Sequence, residues 1–196
     1  MKQFVWIFML CAAASASFAG NIEEGLKAHE QKHYAVAMRA FEKAMQTGNS
    51  EASRRLGFMY YHGEGVAQDS KKAVALFERA AMGGDARSAA NLGTMYEYGM
   101  GVEQDDIRAA AWYRSAGELG DPQSQLVTSI TLYQGKGVAK DRVEAAKWWT
   151  IAMKNGPTWE ARFRPTIESA EAKLTIDELT ESRRRASEWI AARVAK

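Results

Sequence analysis

Residues 52–84 read ASRRLGFMYYHGEGVAQDSKKAVALFERAAMGG, and this stretch recurs twice further along the chain, each time 36 residues on. Fixed positions carry glycine, valine, aspartate, alanine or an aromatic residue: Gly63, Gly65, Val66, Asp69, Ala73, Phe77, Ala80 and Gly84; Gly99, Gly101, Val102, Asp105, Ala109, Tyr113, Ala116 and Gly120; Gly135, Gly137, Val138, Asp141, Ala145, Trp149, Ala152 and Gly156. A fixed period of this kind predicts a repeat architecture.

Each copy has the pattern of two helices joined by a glycine-containing loop. In the middle copy, Leu92 and Tyr96 share one face of a first helix, helix A, until Gly99 and Gly101 interrupt the pattern. We expect positive φ angles at the loop glycines. Asp105 then precedes a second helix, helix B, and is predicted to cap it.

Contacts between helices A and B are also predicted from the pattern. We expect the alanines to let the two helices approach closely beneath the aromatic residue, which is Phe77, Tyr113 or Trp149 in the three copies. In the third copy, Asp141 is followed three residues later by Glu144, which predicts a capping box. The loop aspartates are therefore interpreted as caps and not as catalytic acids or metal ligands.

The arrangement of alanine, leucine–glycine, tyrosine, loop-glycine and aspartate positions resembles the Sel-1-like repeat, a longer-looped relative of the tetratricopeptide repeat. The resemblance covers residues 50–157 as three repeats of 36 residues, and the third departs from it at Thr128, Ser129 and Leu132. Its helix A is therefore expected to pack differently. The resemblance implies an all-α fold, an α-solenoid of antiparallel helix pairs that binds proteins and has no catalytic residues or cofactor of its own.

Residues 1–19 have the organisation of a secretory signal peptide. Lys2 precedes an apolar run and then small residues that end at Ala19, after which we expect cleavage. A membrane span is the weaker alternative, because the run is well short of the roughly 18 apolar residues that a span needs. Cleavage would remove Cys11, the one cysteine, and with it disulfide and thiol chemistry. Export to the periplasm is the expectation, with full secretion as the alternative.

The charge balance of the remaining chain is close to neutral. Loss of Lys2 leaves 25 of the 26 basic residues against 24 acidic ones. This balance predicts neither nucleic-acid binding nor attraction to an anionic membrane. We expect a monomer with no transmembrane segment after cleavage.

The repeats are flanked by two different ends. Residues 20–49 resemble a plain tetratricopeptide helix pair, and residues 158–196 are predicted to form C-terminal capping helices. Pro165 is expected to end or kink the first of these. Thr175 and Glu178 predict a capping box at the start of a longer one.

We expect the C-terminal segment to cover apolar residues of the third repeat. In its helix A the packing positions have become Ser124, Thr128 and Leu132, while Leu126, Ile130 and Tyr133 occupy the opposite face. Exposed apolar side chains of this size favour a covering partner, and Trp159 and Phe163 follow directly.

No catalytic, metal or cofactor site is predicted. His29 and His33 have the spacing of a helical metal pair, but a predicted loop falls between them and no further ligand is near. The glycine loops lack the lysine and hydroxyl residues of a phosphate-binding loop. His62 stands alone before such a loop, so no catalytic triad can be assembled around it.

The candidate site is a groove lined by helix A. A helical wheel places Ala52, Leu56 and Tyr60 on the packing face of the first copy, and by resemblance to tetratricopeptide repeats the opposite face lines the groove. The candidate groove residues are Glu51, Arg54, Phe58, Tyr61 and His62 in the first repeat and Arg87, Thr94, Glu97 and Tyr98 in the second. Aromatic residues beside charges are typical of peptide-binding interfaces, and ordinary half-buried solenoid residues are the alternative.

These features favour a non-enzymatic interaction module that binds a protein or peptide in its groove and acts as a scaffold or regulator of an envelope complex. The alternative is a cell-wall glycan binder or an envelope hydrolase that uses the groove aromatics for stacking.

Overall fold

The computed structural model describes the backbone of residues 21–155 and 160–194, with the side chains of 21–155 and 163–194. The predicted signal peptide, Pro157 and Trp159 lie outside these residues. Within them the chain forms ten helices and no strand. The helices are α1 (residues 21–30), α2 (Tyr34–Gln46), α3 (Ser50–His62), α4 (Ser70–Met82), α5 (Ala86–Tyr98), α6 (Asp106–Glu118), α7 (Pro122–Gln134), α8 (Arg142–Asn155), α9 (Glu160–Glu171) and α10 (Ile176–Val194).

Consecutive helices pack as pairs, which confirms the predicted all-α solenoid of antiparallel helix pairs. Helices α3, α5 and α7 are the predicted helices A, and α4, α6 and α8 are the helices B. The chain divides into two compact units, Met1–Asp85 with α1 to α4 and Ala86–Lys196 with α5 to α10. Phe41, Leu56 and Met59 lie in the core of the first unit.

The loop aspartates cap the helices B, as predicted. The Oδ1 atom of Asp69 accepts a hydrogen bond from the backbone N–H of Lys72 at 2.9 Å, and Asp105 caps α6 in the same way. Asp141 accepts from the N–H of Glu144 at 2.8 Å. The predicted capping box is only half formed. The Glu144 carboxylate accepts hydrogen bonds from Lys147 and Trp148 and not from the backbone N–H of Asp141, so this part of the prediction was wrong.

At Gly137 and Gly65, a positive φ coincides with close contact to the start of another helix. Gly137 has a φ of 71°, and a Cβ atom there would overlap the carbonyl oxygen of Asp106 at the start of α6. Gly65 has a φ of 73° and lies in the same way against Tyr34 at the start of α2. Within each unit, a loop between helices A and B therefore rests on the start of the preceding helix B, which only glycine permits.

At the aromatic position, a glycine of helix A allows helices A and B to approach, a role that the sequence-based expectation gave to the alanines alone. A Cβ atom at Gly57 would lie 2.7 Å from Cε1 of Phe77, and one at Gly93 would lie 2.7 Å from Cδ1 of Tyr113. The aromatic ring of helix B lies against the bare backbone of helix A. The nearby alanines Ala52, Ala73 and Ala80 are also fully buried.

The third repeat packs differently, as its departure from the pattern predicted. Ser129 replaces the glycine beneath the aromatic residue, and its hydroxyl donates to the carbonyl of Ala145 on α8 at 2.8 Å. Ser124 and Thr128 are also buried, and the Thr128 hydroxyl donates to the Ser124 carbonyl at 2.7 Å. Local backbone acceptors satisfy these hydroxyls, which makes their burial tolerable.

Helix α10 packs against α8 and forms the C-terminal cap. Ala186 joins a core with Trp148 and Ile151, and the ring of Trp189 meets Trp148 edge-on at 5.7 Å between centroids. The capping box at its start is present: Thr175 N–H donates to Glu178, and Glu178 N–H donates to the Thr175 hydroxyl.

Helix α9 covers the apolar positions of the third repeat. Phe163 and Ile167 pack against Leu126 and Trp149, and Ile130 joins the same cluster. Pro165 lies inside α9 and does not end it, so of the two expected effects, an end or a kink, the first is wrong. The helix tolerates it because the proline removes a single backbone hydrogen bond close to the helix start.

Candidate protein-binding faces

In the first unit, α3 presents a face that ends in aromatic residues. His62 is exposed, and its ring stacks on Phe58 with 6.0 Å between centroids and an interplanar angle of 7°. Phe58 is half-buried because its other edge meets Phe77 of α4 at 5.1 Å. Tyr61 is half-buried and meets His62 edge-on at 5.0 Å. Packing on one side thus holds these rings in place, while His62 remains open to solvent.

Arg54 does not belong to this face, which corrects the sequence prediction. Only 7% of the residue is exposed. Its Nε donates to Oδ2 of Asp85 at 3.0 Å, and its Nη2 donates to Oε1 of Glu51 at 3.1 Å. This buried cation is satisfied by carboxylates of its own unit, so it contributes to the fold and is not available to a ligand.

Sequence reasoning missed Arg55, which does lie on the face. It is half-buried, and its Nη2 donates to Oε1 of Glu51 at 3.0 Å, one helical turn away. The helical period could have identified it, because the steps from Glu51 to Arg55, Phe58 and His62 are four, three and four residues. Arg54 lies one helical turn before Phe58, so the period alone does not separate it from this face; its burial against Asp85 does.

In the second unit, α5 presents Arg87 and Tyr98. Arg87 is exposed and has no partner among the residues described. Tyr98 is 65% exposed. Eleven residues separate them, which is close to three full turns, so both lie on one face about 16 Å apart along the axis. Asn91 lies between them, half-buried, and sequence reasoning missed it.

Thr94 and Glu97 belong to an internal network. The hydroxyl of Tyr113 donates to Oε2 of Glu97 at 2.9 Å and lies 3.1 Å from the Thr94 hydroxyl. Burial raises the pKa of Tyr113 well above its usual value, so its hydroxyl stays protonated and remains a donor. These two candidate residues thus have partners on α6 and are less available to a ligand than Arg87 and Tyr98.

Lys136, in the loop after α7, completes this network. Its Nζ donates to Oε1 of Glu97 at 2.7 Å and lies 3.5 Å from Oδ1 of Asp106. Burial alone would raise the pKa of Glu97, but hydrogen bonds from Lys136 and Tyr113 outweigh it, and the pKa is lowered. The hydrogen bond to Glu97 raises the pKa of Lys136.

The first unit contains the same connection with other residue types. Nε2 of His29, at the end of α1, lies 2.7 Å from Oε2 of Glu64 in the loop after α3. In both units a side chain near the end of one helix A therefore pairs with the loop that follows the next helix A. This connection holds neighbouring helix pairs together.

Within residues 21–155 and 160–194, no group of three or more histidine, cysteine, aspartate or glutamate residues is placed to hold a metal ion. In the same part of the chain, no helix is both long and apolar enough to cross a membrane.

The solved structures that resemble this chain include two Sel1-type repeat proteins. A Sel1 repeat protein from Oxalobacter formigenes is 28% identical with a TM-score of 0.64, covering 69% of this chain and 56% of its own. The protein c5321, a protective antigen of uropathogenic Escherichia coli strains with an SLR fold, is 25% identical with a TM-score of 0.58, covering 91% of this chain and 46% of its own. The chain thus spans about half the length of each relative. No curated protein matches it.

The family model described as the Sel1 repeat matches residues 50–85, 86–121 and 123–157, which together are more than half of the chain. Sel1 repeats generally mediate protein–protein interaction, and the family is typically a non-enzymatic scaffold. These matches contain all the candidate residues of α3 and α5. The chain belongs to the Sel1 repeat family.

Proposed function

We propose that this protein is an exported interaction module that binds a protein or peptide through the exposed faces of α3 and α5, and acts as a scaffold or regulator in the cell envelope. It works by binding and not by catalysis. The observation that carries the proposal is that Tyr98, which is 65% exposed, and Arg87, which has no described partner, lie on the same face of α5.

Residue chemistry supports this choice of face. Tyrosine and arginine are enriched among the residues that dominate binding energy at protein interfaces. The neighbouring charge on α5, Glu97, is already neutralised by Lys136 at 2.7 Å. Arg87 is therefore the charge on this helix that remains for a partner, and an acidic group would complement it.

The proposed location follows from the leader-like residues 1–19. Lys2, the apolar run and the small residues ending at Ala19 have the order of a cleavable signal peptide. Export would place the interaction in the periplasm of a bacterial envelope. Amino-terminal sequencing of the protein from a periplasmic fraction should begin near Gly20, and a retained Met1 would contradict export.

Partner binding is tested by co-purification from an envelope extract, with recovered proteins identified by mass spectrometry. The full chain should recover one dominant protein, and the double variant Arg87→Glu/Tyr98→Ala should recover about ten-fold less of it. Ile107→Ser is the matched control, because Ile107 is 71% exposed but lies on α6.

Three results would count against the proposal. Equal recovery by the double variant would remove α5 from the interface, and equal loss in the Ile107→Ser control would indicate a nonspecific effect. Binding to purified peptidoglycan in the absence of any protein would favour the alternative of a glycan binder.

A further inference from the structure

The loop after α7 places a lysine between two carboxylates of the preceding repeat. Nζ of Lys136 lies 2.7 Å from Oε1 of Glu97, at the end of α5, and 3.5 Å from Oδ1 of Asp106, at the start of α6. Glu97 and Asp106 thus form a socket between helix A and helix B of the second repeat. The lysine of the following loop occupies it, and its charge is neutralised there.

The third repeat has residues of a different character at the same two positions. Tyr133 and Arg142 lie one period of 36 residues after Glu97 and Asp106. Tyr133 is half-buried near the end of α7, Arg142 is exposed at the start of α8, and both line the same small cavity. The socket positions of the third repeat therefore present a hydroxyl group and a guanidinium group instead of two carboxylates.

A lysine also occupies this second socket. Lys173, in the loop after α9, donates from Nζ to the Tyr133 hydroxyl at 2.9 Å. It lies 37 residues after Lys136 and contacts the third repeat as Lys136 contacts the second. Lys136 meets two carboxylates, whereas Lys173 meets a neutral hydroxyl beside another cation. The positive charge of Lys173 is therefore not neutralised in its socket.

Lys140 is a third cation at this end of the third repeat. The pKa of Tyr133 is lowered by the hydrogen bond from Lys173 and then by the positive charges of Lys173, Arg142 and Lys140, which shows that all three charges act at its hydroxyl. The three cations are exposed, and none has an acidic partner among the residues that the structure describes. Because like charges repel, an anion placed among them would be stabilised.

Two acidic residues lie near these cations without pairing with them. The Asp141 carboxylate accepts from the backbone N–H of Glu144 at 2.8 Å and caps α8. Glu171 lines the small cavity with Tyr133 and Arg142, but it forms no ion pair with a described residue. Three positive charges against two negative ones leave this surface positive, which favours an anionic ligand.

We propose that the socket of Tyr133, Arg142 and Lys173 binds the carboxylate of an aspartate or glutamate side chain of a protein partner. Such a carboxylate gives Lys173 what Glu97 gives Lys136 within the chain. Arg142 can donate two parallel hydrogen bonds to its oxygens, and the Tyr133 hydroxyl can donate a third while it accepts from Lys173. The inference rests on the proposed function, because it assigns part of the partner's chemistry at a place outside the α3 and α5 faces.

The test follows the side-chain resonances of Tyr133 and Lys173 in the isotopically labelled full chain, assigned with Tyr133→Phe and Lys173→Gln. The probe is an acetylated and amidated Gly-Glu-Glu-Gly peptide. Two comparison probes separate charge from shape and side chain from free anion. They are the corresponding Gly-Gln-Gln-Gly peptide, which is nearly isosteric but neutral, and inorganic phosphate.

The glutamate peptide should shift both resonances saturably, and neither comparison probe should match its affinity. Arg142→Gln/Lys173→Gln, followed at Tyr133, should weaken binding about five-fold or more, because each exposed ion pair contributes up to about 1 kcal/mol. Lys154→Gln/Arg183→Gln is the matched control, since it removes two exposed cations without described partners from the same unit, and it should bind normally. Melting curves verify that each variant is folded.

A second pair of variants tests the comparison between the two sockets. Tyr133→Glu introduces a carboxylate at the position that Glu97 has in the second repeat, so Lys173 gains a partner within the chain. Tyr133→Gln removes the same ring without adding a charge. The glutamate peptide, followed at Lys173, should bind Tyr133→Glu about five-fold or more weakly than Tyr133→Gln.

The proposal is overturned if the glutamate peptide causes no saturable shift, if the glutamine peptide or phosphate binds equally well, or if Arg142→Gln/Lys173→Gln binds unchanged. An equal loss in Lys154→Gln/Arg183→Gln would indicate a response to net charge alone and would also overturn it, as would equal binding by Tyr133→Glu and Tyr133→Gln. Recovery of a partner that depends on Arg87 and Tyr98 would remain intact in each of these cases, so failure of the socket is distinguishable from failure of the proposed function.

Discussion

The ring of Phe77 lies directly against the backbone of α3 at Gly57, where a Cβ atom would approach Cε1 of the ring to 2.7 Å. Tyr113 has the same relationship to Gly93 in the second unit. Glycine inside a helix is less favourable than alanine by about 1 kcal/mol, so the aromatic contact must offset that amount. The contact therefore determines how closely helices A and B pack.

Gly57→Ala should lower the free energy of unfolding by about 1 to 3 kcal/mol, because the added methyl group forces the Phe77 ring to shift in a filled core. Urea denaturation measures this change. Combining Gly57→Ala with Phe77→Leu should cost less than the sum of the two single variants, since leucine leaves room for the methyl group. A Gly57→Ala variant as stable as wild type would contradict the role of this contact.

Gly137 and Gly120 provide a matched comparison, since both have positive φ angles, 71° and 101°. A Cβ atom at Gly137 would overlap the backbone of Asp106, whereas one at Gly120 meets nothing within 4 Å. Gly120→Ala should cost only the backbone strain, of order 1 kcal/mol. Gly137→Ala should lower stability clearly more than Gly120→Ala does, as measured by thermal denaturation. Equal losses of stability would mean that the loop does not rest on α6.

The period of the sequence was sufficient to predict the helix pairs, the loop glycines and the capping aspartates, because each depends on local chemistry. It was insufficient for Arg54, which a helical wheel placed on the binding face and which Asp85, 31 residues away, holds in a buried ion pair at 3.0 Å. A helical wheel gives the direction in which a side chain points but not which residues of other helices or loops it meets. Long-range pairs of this kind depend on how the repeats stack.

The same limit applies to the contact beneath Phe77. Gly57 was visible as a repeated residue, but a glycine inside a helix has no single interpretation until the facing ring is located. Sequence patterns predict which residues are buried more reliably than how well they pack.

Ile130 should contribute to stability through the cover that α9 provides. It joins the cluster of Leu126, Trp149 and Phe163, so Ile130→Asp would place a charge among apolar side chains. We expect a loss of about 2 kcal/mol or more in the free energy of unfolding. Val194→Asp is the control, because Val194 is 83% exposed, and it should change stability little. Similar effects of the two variants would indicate that α9 does not cover this position.

Stability should depend on the ionisation of Glu97, whose pKa is lowered in the folded protein although burial alone would raise it. A carboxyl group whose pKa is lowered in the folded state stabilises the protein at pH values above its unfolded-state pKa, about 4.5. This contribution is lost as the pH falls through the folded-state pKa. Lys136, whose pKa is raised by its hydrogen bond to Glu97, loses its contribution only as the pH rises above about 10.5. Both contributions are present at neutral pH.

Glu97→Gln should therefore be less stable than wild type at pH 7, by about 1 to 2 kcal/mol, because Lys136 and Tyr113 lose their charged acceptor. The difference should remain constant at pH values above about 4.5 and shrink as the pH falls further and the wild-type carboxyl group becomes protonated. Urea denaturation at a series of pH values measures it. Glu103→Gln, at an exposed position with no described partner, should show no such difference at any pH. If the free energies of unfolding of wild type and Glu97→Gln differed by the same amount from pH 7 to pH 3, the lost interaction would not depend on the charge of Glu97.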